Sequence, residues 1–136
     1  MITKKIILHA DGGSRGNPGH AAVGVVGYMD DILVFETSKY IGETTNNVAE
    51  YRAAIEGLKK CIELECETVI IYMDSQLVIK QMRREYRVKN KVLKELNMIA
   101  TELCKKFKKV EWHHNYRENN KHADKLVNKA LDEKLN

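Results

Sequence analysis

The spacing of apolar residues changes period once along this chain, near residue 47, and that change decides which layers the chain can build. Upstream, Lys5–Asp11, Ala22–Met29 and Ile32–Ile41 carry the apolar, β-branched runs of strands. The last two are joined by a short Asp30-Asp31 turn, which argues for a hairpin. The GGSRGNPG stretch between the first two reads as a longer, glycine-rich loop. From Asn47 the period becomes helical, with Val48, Tyr51, Ile55, Leu58 and Ile62 at spacings of 3, 4, 3 and 4. Thr68–Asp74 (TVIIYMD) then reads as a strand buried on both faces. Ser75 can cap a following helix, and Val92, Leu96, Ile99 and Leu103 signal another near Lys89–Lys106. Val110–His114 reads as a short strand before a last helix from about Asn119 to Leu135.

The order β-β-β-α-β-α-α-β-α predicts an α/β fold: a five-stranded mixed sheet, three strands antiparallel and two parallel, with helices on both sides. Nothing marks a linker, since the only proline is Pro18, so residues 1–136 are expected to form one domain. No apolar run approaches the roughly 18 residues of a membrane span. Asp11 interrupts the first apolar stretch too early for a signal peptide. The expectation is a soluble, cytoplasmic monomer with no membrane and no protein partner. Cys61, Cys66 and Cys104 form no CxxC pair and read as buried thiols rather than disulfides or zinc ligands.

Net charge is +4, but it is unevenly spread. Residues 1–68 hold 7 basic and 10 acidic groups (net −3), and residues 69–136 hold 16 basic and 9 acidic (net +7). Residues 80–94 alone carry seven basic groups and one acid, enough to offset backbone phosphates. Lys105, Lys106, Lys108 and Lys109 form a second run with no motif attached, read as solubilising surface.

Asp11 and Asp74 each close an apolar strand, where a carboxylate is costly to leave unpaired. Glu50 lies near the start of the first helix and Asp124 in the last. Four carboxylates from four elements could meet at one sheet edge, and hard oxygen ligands of this kind suit Mg²⁺ or Mn²⁺.

The segments around these acids, ADGGSRGNPG, TTNNVAEY, YMDSQLVIKQ and NNKHADKLVNKAL, together resemble the successive motifs of type 1 ribonuclease H (ribonuclease HI), in that family's order and over nearly the whole chain. The resemblance implies a ribonuclease H-like fold and hydrolysis of the RNA strand of an RNA–DNA hybrid, with two divalent cations, Mg²⁺ or Mn²⁺, activating water and steadying the leaving 3′ oxygen. Products would carry 5′-phosphate and 3′-hydroxyl ends. It makes Asp11 the carboxylate shared by both cations, with Glu50 and Asp74 completing one site and Asp124 the other. Asn17, Asn46, Asn47 and Gln76 match groove-contacting amides. Gly12, Ser14 and Arg15 match backbone and side chains close to the RNA strand, and Thr45 with Asn90 matches a pocket for a phosphate of the DNA strand.

The chain has only REYRVKN where the best-studied bacterial members carry a long basic protrusion, and no amino-terminal hybrid-binding module is expected in 136 residues. His114, ten residues before Asp124, matches the catalytic-loop histidine of one branch, and Arg117 matches the arginine of another; both alternatives stand. Asn120, four before Asp124, would share its helix face and could orient that carboxylate. Two other readings fit parts of the pattern. A non-catalytic hybrid or double-stranded RNA binding module would use the basic 80–94 stretch, and a resolvase or transposase core would share the fold.

Overall fold

In the computed structural model, which describes residues 4–136, Asp30 and Asp31 both take positive φ (50° and 64°) and reverse the chain between β2 (Gly19–Met29) and β3 (Ile32–Thr44). Aspartate tolerates this left-handed backbone, and a two-residue turn of this kind matches strand twist. β2 pairs antiparallel with β1 (Lys5–Arg15) on its other side. The helix α1 (Asn46–Glu63) then crosses to β4 (Thr68–Met73), which pairs parallel with β1. After α2 (Gln76–Met82) and α3 (Lys91–Cys104), β5 (Lys109–His114) pairs parallel with β4. A short 3-10 turn, Arg117–Asn119, leads into α4 (Lys121–Leu135). The sheet order is β3-β2-β1-β4-β5, the mixed sheet expected from the pattern.

α1, α2 and α3 cover one face of the sheet, where Ile6, Leu8, Val69 and Ile71 meet Tyr51 and Leu58. α4 covers the other face, but only across β1, β2 and β3. Tyr51 ties the helical layer together: its hydroxyl donates to Gln81 Oε1 of α2 at 2.6 Å and accepts from Asn97 Nδ2 of α3 at 3.2 Å.

Three local expectations are corrected. The glycine-rich stretch is mostly strand: Gly12–Arg15 pairs with His20–Val23, leaving only residues 16–18 as the turn. The cause is packing rather than turn chemistry, as described below. β4 is buried on one face only; its residues alternate, with Ile70 and Tyr72 half-buried because α4 does not extend over β4. Tyr72 is instead flanked by the stacked rings of His9 and His113, at 5.3 and 5.4 Å between centroids. In α3 only half of the apolar stripe that signals the helix is covered, Leu96 and Leu103 packing against the core. Leu93 and Ala100 face inward, while Val92 and Ile99 are about half exposed, since α3 rests on α1 at the margin of the layer.

Cys61 and Cys66 are buried and Cys104 half-buried, all three free. Burial pushes their thiols up, Cys61 to about 12 and Cys104 to about 11, so they stay protonated packing groups. No helix among the described residues is long and apolar enough to cross a membrane.

Candidate active site

The two helical layers come closest to the sheet beside Asp11. A β-carbon built on Gly12 would overlap the backbone carbonyl of Ala49 in α1, and one built on Gly24, the partner of Asp11 on β2, would overlap the carbonyl of Ala123 in α4. Only glycine permits either approach. α1 and α4 are thereby drawn in on opposite faces, each one residue before a carboxylate: Ala49 precedes Glu50 and Ala123 precedes Asp124. Asp74 follows directly on β4, the parallel neighbour of β1. All four carboxylates line one cavity of about 300 Å³, floored by Gly12 and Gly13 and edged by Ser14, Arg15, Asn46, Arg117 and Asn128. Two larger depressions, about 620 and 630 Å³, lie along α3 and gather no such set.

The electrostatics follow from this crowding. Asp11 is only 8% exposed. Its burial, then the charges of Asp74 and Asp124, a hydrogen bond shared with Asp124, and the charge of Glu50 raise its pKa to about 8. Burial raises Glu50 to about 7, opposed by a hydrogen bond from the Ser75 hydroxyl and reinforced by Asp74. Ser75 also accepts from the Val78 amide at 3.2 Å, so one side chain caps α2 and holds Glu50. Nearby cations are few. Arg15 is committed to Asp132 at 2.6 Å, and Arg117 stands 3.9 Å from Asp124 while 79% exposed.

Among the described residues, no three acidic, histidine or cysteine side chains close around a single point as a preassembled cage. The donor chemistry nonetheless fits hard divalent cations: every acid offers oxygen, and the basic side chains bordering the cavity do little to offset them, Arg15 being paired with Asp132 and Arg117 standing 3.9 Å from Asp124. The Asp11→Asn variant tests this balance. Asp11 binds its proton more tightly folded than unfolded, so the cation-free protein should lose stability as pH rises from about 4 to about 8. Asp11→Asn should flatten that slope and, in chelator at pH 8, raise stability by roughly 2 kcal/mol, the scale of a buried uncompensated group. Added Mg²⁺ should raise the melting temperature of the wild type and leave the variant nearly unmoved. A variant less stable than wild type in chelator would contradict the balance.

The amides expected to contact a groove are oriented from within. Asn46 Oδ1 accepts from the Ser14 amide (2.8 Å) and hydroxyl (3.1 Å), and Asn17 Oδ1 accepts from the Asn46 amide (3.1 Å). Neither Nδ2 is bonded within the chain among the described residues, which leaves both as donors for an external acceptor. Asn47 and Gln76 are exposed in the first turns of α1 and α2. Thr45 and Asn90 are the N-caps of α1 and α3, accepting from Val48 (3.3 Å) and Leu93 (3.1 Å). Together with Asn17 and Asn47 they line a second cavity of about 380 Å³, where two helix N-termini converge, an arrangement that favours an anion.

His114 is exposed on β5, edge-on to Tyr116, and does not line the carboxylate cavity; Arg117 does. Of the basic stretch, Arg83 is used internally, donating to the Trp112 carbonyl at 2.6 Å, and Lys80 lies over Tyr86. Arg84, Arg87, Lys89, Lys91 and Lys94 are exposed without an acidic partner among the described residues. The second lysine run is neutralised in part: Lys105, Lys108 and Lys109 pair with Glu102, Glu67 and Glu111. Asn128 was not singled out from the sequence. Its Nδ2 lies 3.2 Å from the Asp124 carbonyl and 3.5 Å from its carboxylate, and the signal for it was the four-residue spacing along the helix.

A protein-family model described as "Reverse transcriptase-like" matches residues 9–130. The chain is 40% identical over 130 residues to "Bifunctional protein Rv2228c" of Mycobacterium tuberculosis, covering 94% of this chain and 36% of that protein. It therefore spans about a third of the length of that relative. It is 32% identical over 151 residues to a ribonuclease H of Clostridium botulinum, covering 96% and 97% of the two chains. Among solved structures, LC11-RNase H1 in complex with RNA/DNA hybrid superposes with a TM-score of 0.92 at 40% identity, covering 96% and 99%.

Proposed function

The chain belongs to the ribonuclease H family, and from that premise we propose that it is an endoribonuclease that hydrolyses the RNA strand of RNA–DNA hybrids with two divalent cations, leaving 5′-phosphate and 3′-hydroxyl ends. The observation that carries this reading is the convergence of Asp11, Glu50, Asp74 and Asp124 on one open, glycine-floored cavity. Asp11, Glu50 and Asp74 would hold one cation and Asp11 with Asp124 the other; bound there, Mg²⁺ or Mn²⁺ would supply the Lewis acidity that activates water and stabilises the leaving oxygen. No second chain is needed, because one chain supplies all four acids. The reading places this activity in the cytoplasm.

The remaining groups select and seat the substrate. The free amides of Asn17 and Asn46 can donate to 2′-hydroxyl and base-edge acceptors, and only the RNA strand has 2′-hydroxyls. Gly12 and Gly13 let backbone approach backbone at the cavity floor. The paired caps Thr45 and Asn90 offer a seat for a phosphate of the opposite strand, and Arg84, Arg87 and Lys89 extend the positive surface.

Arg117 faces the site, so we assign it, and not His114, the task of steadying charge on the phosphate. A guanidinium keeps its proton at any working pH, so its role is electrostatic. Arg117→Ala should lower kcat by about tenfold, whereas His114→Ala should leave it within about twofold; the reverse ranking in steady-state assays would overturn this assignment.

The overall reading is tested by incubating the protein with a labelled hybrid in Mg²⁺, in Mn²⁺ and in chelator. Cleavage in either cation and none in chelator is expected. Salt-dependent binding that ignores chelator, with no cleavage in either cation, would favour the binding-module reading.

A further inference from the structure

Asn120 sits immediately before α4, is only 2% exposed, and has no part in the roles assigned above. Its Nδ2 donates to the carbonyl of Ala10 at 3.0 Å, one residue before Asp11. Its own carbonyl accepts from the Asp124 amide at 3.1 Å, in the first turn of α4. One buried residue is thus bonded to the strand that presents Asp11 and to the helix turn that presents Asp124. The parallel pairing of β1 with β4 ends at His9–Tyr72, so Ala10 lies just past that ladder, and Asn120 continues the hydrogen bonding of β1 where that pairing stops.

The other half of the same amide is poorly satisfied. Oδ1 is buried with no hydrogen bond of good geometry, serving at most as a weak acceptor for the His9 ring, and Asn120 lines a small cavity of about 80 Å³ together with His9, Tyr28 and His122. A buried acceptor without a full hydrogen bond is destabilising. An apolar side chain would avoid that cost, so the amide is kept for what its donor half does. Besides the hydrogen bond it shares with Asp11, which a cation would replace, the supports of Asp124 are slight: Arg117 is 3.9 Å away and exposed, and Asn128 reaches the carboxylate only at 3.5 Å.

We propose that Asn120 is a positioning residue that clamps α4 to β1 and so fixes the separation of Asp11 and Asp124, governing the affinity of the cation those two carboxylates share. The role differs from orienting the Asp124 carboxylate directly, because Asn120 holds backbone on both sides and does not touch that side chain. The inference rests on the two-cation hydrolase reading.

The test is Asn120→Ala, with Asn120→Ser as the second variant should the alanine protein fail to fold. Mn²⁺ titration of the free protein by calorimetry should keep the site built on Asp11, Glu50 and Asp74 and weaken the other by about 10–100-fold, as loss of an orienting partner does elsewhere. At saturating hybrid, kcat should fall by about tenfold or more with KM little changed, and excess Mn²⁺ should restore part of it. An unchanged Mn²⁺ isotherm, or a loss of activity that tracks only the unfolded fraction and disappears on cooling, would overturn the clamp. If the wild type does not cleave hybrid, the hydrolase reading fails while the isotherm still decides the clamp.

Discussion

Asp74→Asn should remove hybrid cleavage, by roughly a thousandfold or more in kcat, while hybrid binding stays within a few-fold of wild type. The asparagine has the same shape and can still accept a hydrogen bond, but it brings no negative charge to a divalent cation. Several kcal/mol of transition-state stabilisation depend on that charge, and about 4 kcal/mol is three powers of ten in rate. Loss of fold cannot account for the expected result, because Asp74 is half-buried and its charge repels Asp11 and Glu50. Removing it should leave thermal stability in chelator equal to or above that of wild type. Steady-state kinetics and a binding isotherm on the same preparation check both halves; substantial cleavage by the variant would contradict the assignment of Asp74 as a cation ligand.

The largest stability effect is expected at Gly12. A methyl group there would overlap the Ala49 carbonyl and crowd the Glu50 amide, and both are backbone, with no side chain free to swing aside. α1 must then retreat from β1, and the strain is about 3 kcal/mol or more, at the upper end for overpacked sites. Gly12→Ala should therefore melt at least about 10 °C lower than wild type. It should also lose cleavage at temperatures where it is still folded, because the retreat carries Glu50 away from Asp11. Gly13→Ala is the matched control: a β-carbon there meets only ordinary contacts, the nearest being Val127 at 3.8 Å. Equal melting temperatures for the two variants would show that helix approach is not what requires glycine at position 12.

The Gly12 case also shows where sequence stops being informative. Period and turn chemistry made the order of elements legible, including the Asp30-Asp31 hairpin and the Ser75 cap, because those signals are local. The four acids stood out because each lies in a distinctive segment. The run GGSR, by contrast, reads as loop when only neighbours along the chain are weighed. Its glycine is required by a helix 37 residues away, and no short-range pattern encodes that approach. The same limit applies to α3, whose apolar spacing indicates a helix but not how much of its surface a neighbour covers. That Arg117 borders the cavity and His114 does not follows from the path of the chain after β5, which no local spacing encodes. Asn120 could be placed near Asp124 by its spacing, yet its bond to Ala10 joins residues 110 positions apart.

The central claim is that four carboxylates on one glycine-floored cavity make a cation-dependent nuclease for one strand of a hybrid. It is tested most directly by presenting the protein with an RNA–DNA hybrid, duplex RNA and duplex DNA of one sequence, each strand end-labelled, in Mg²⁺, in Mn²⁺ and in chelator. The account expects internal cuts in the RNA strand of the hybrid alone, bearing 5′-phosphate and 3′-hydroxyl ends and absent in chelator. Cuts in the DNA strand, cleavage that persists in chelator, or an intact hybrid in both cations would contradict it.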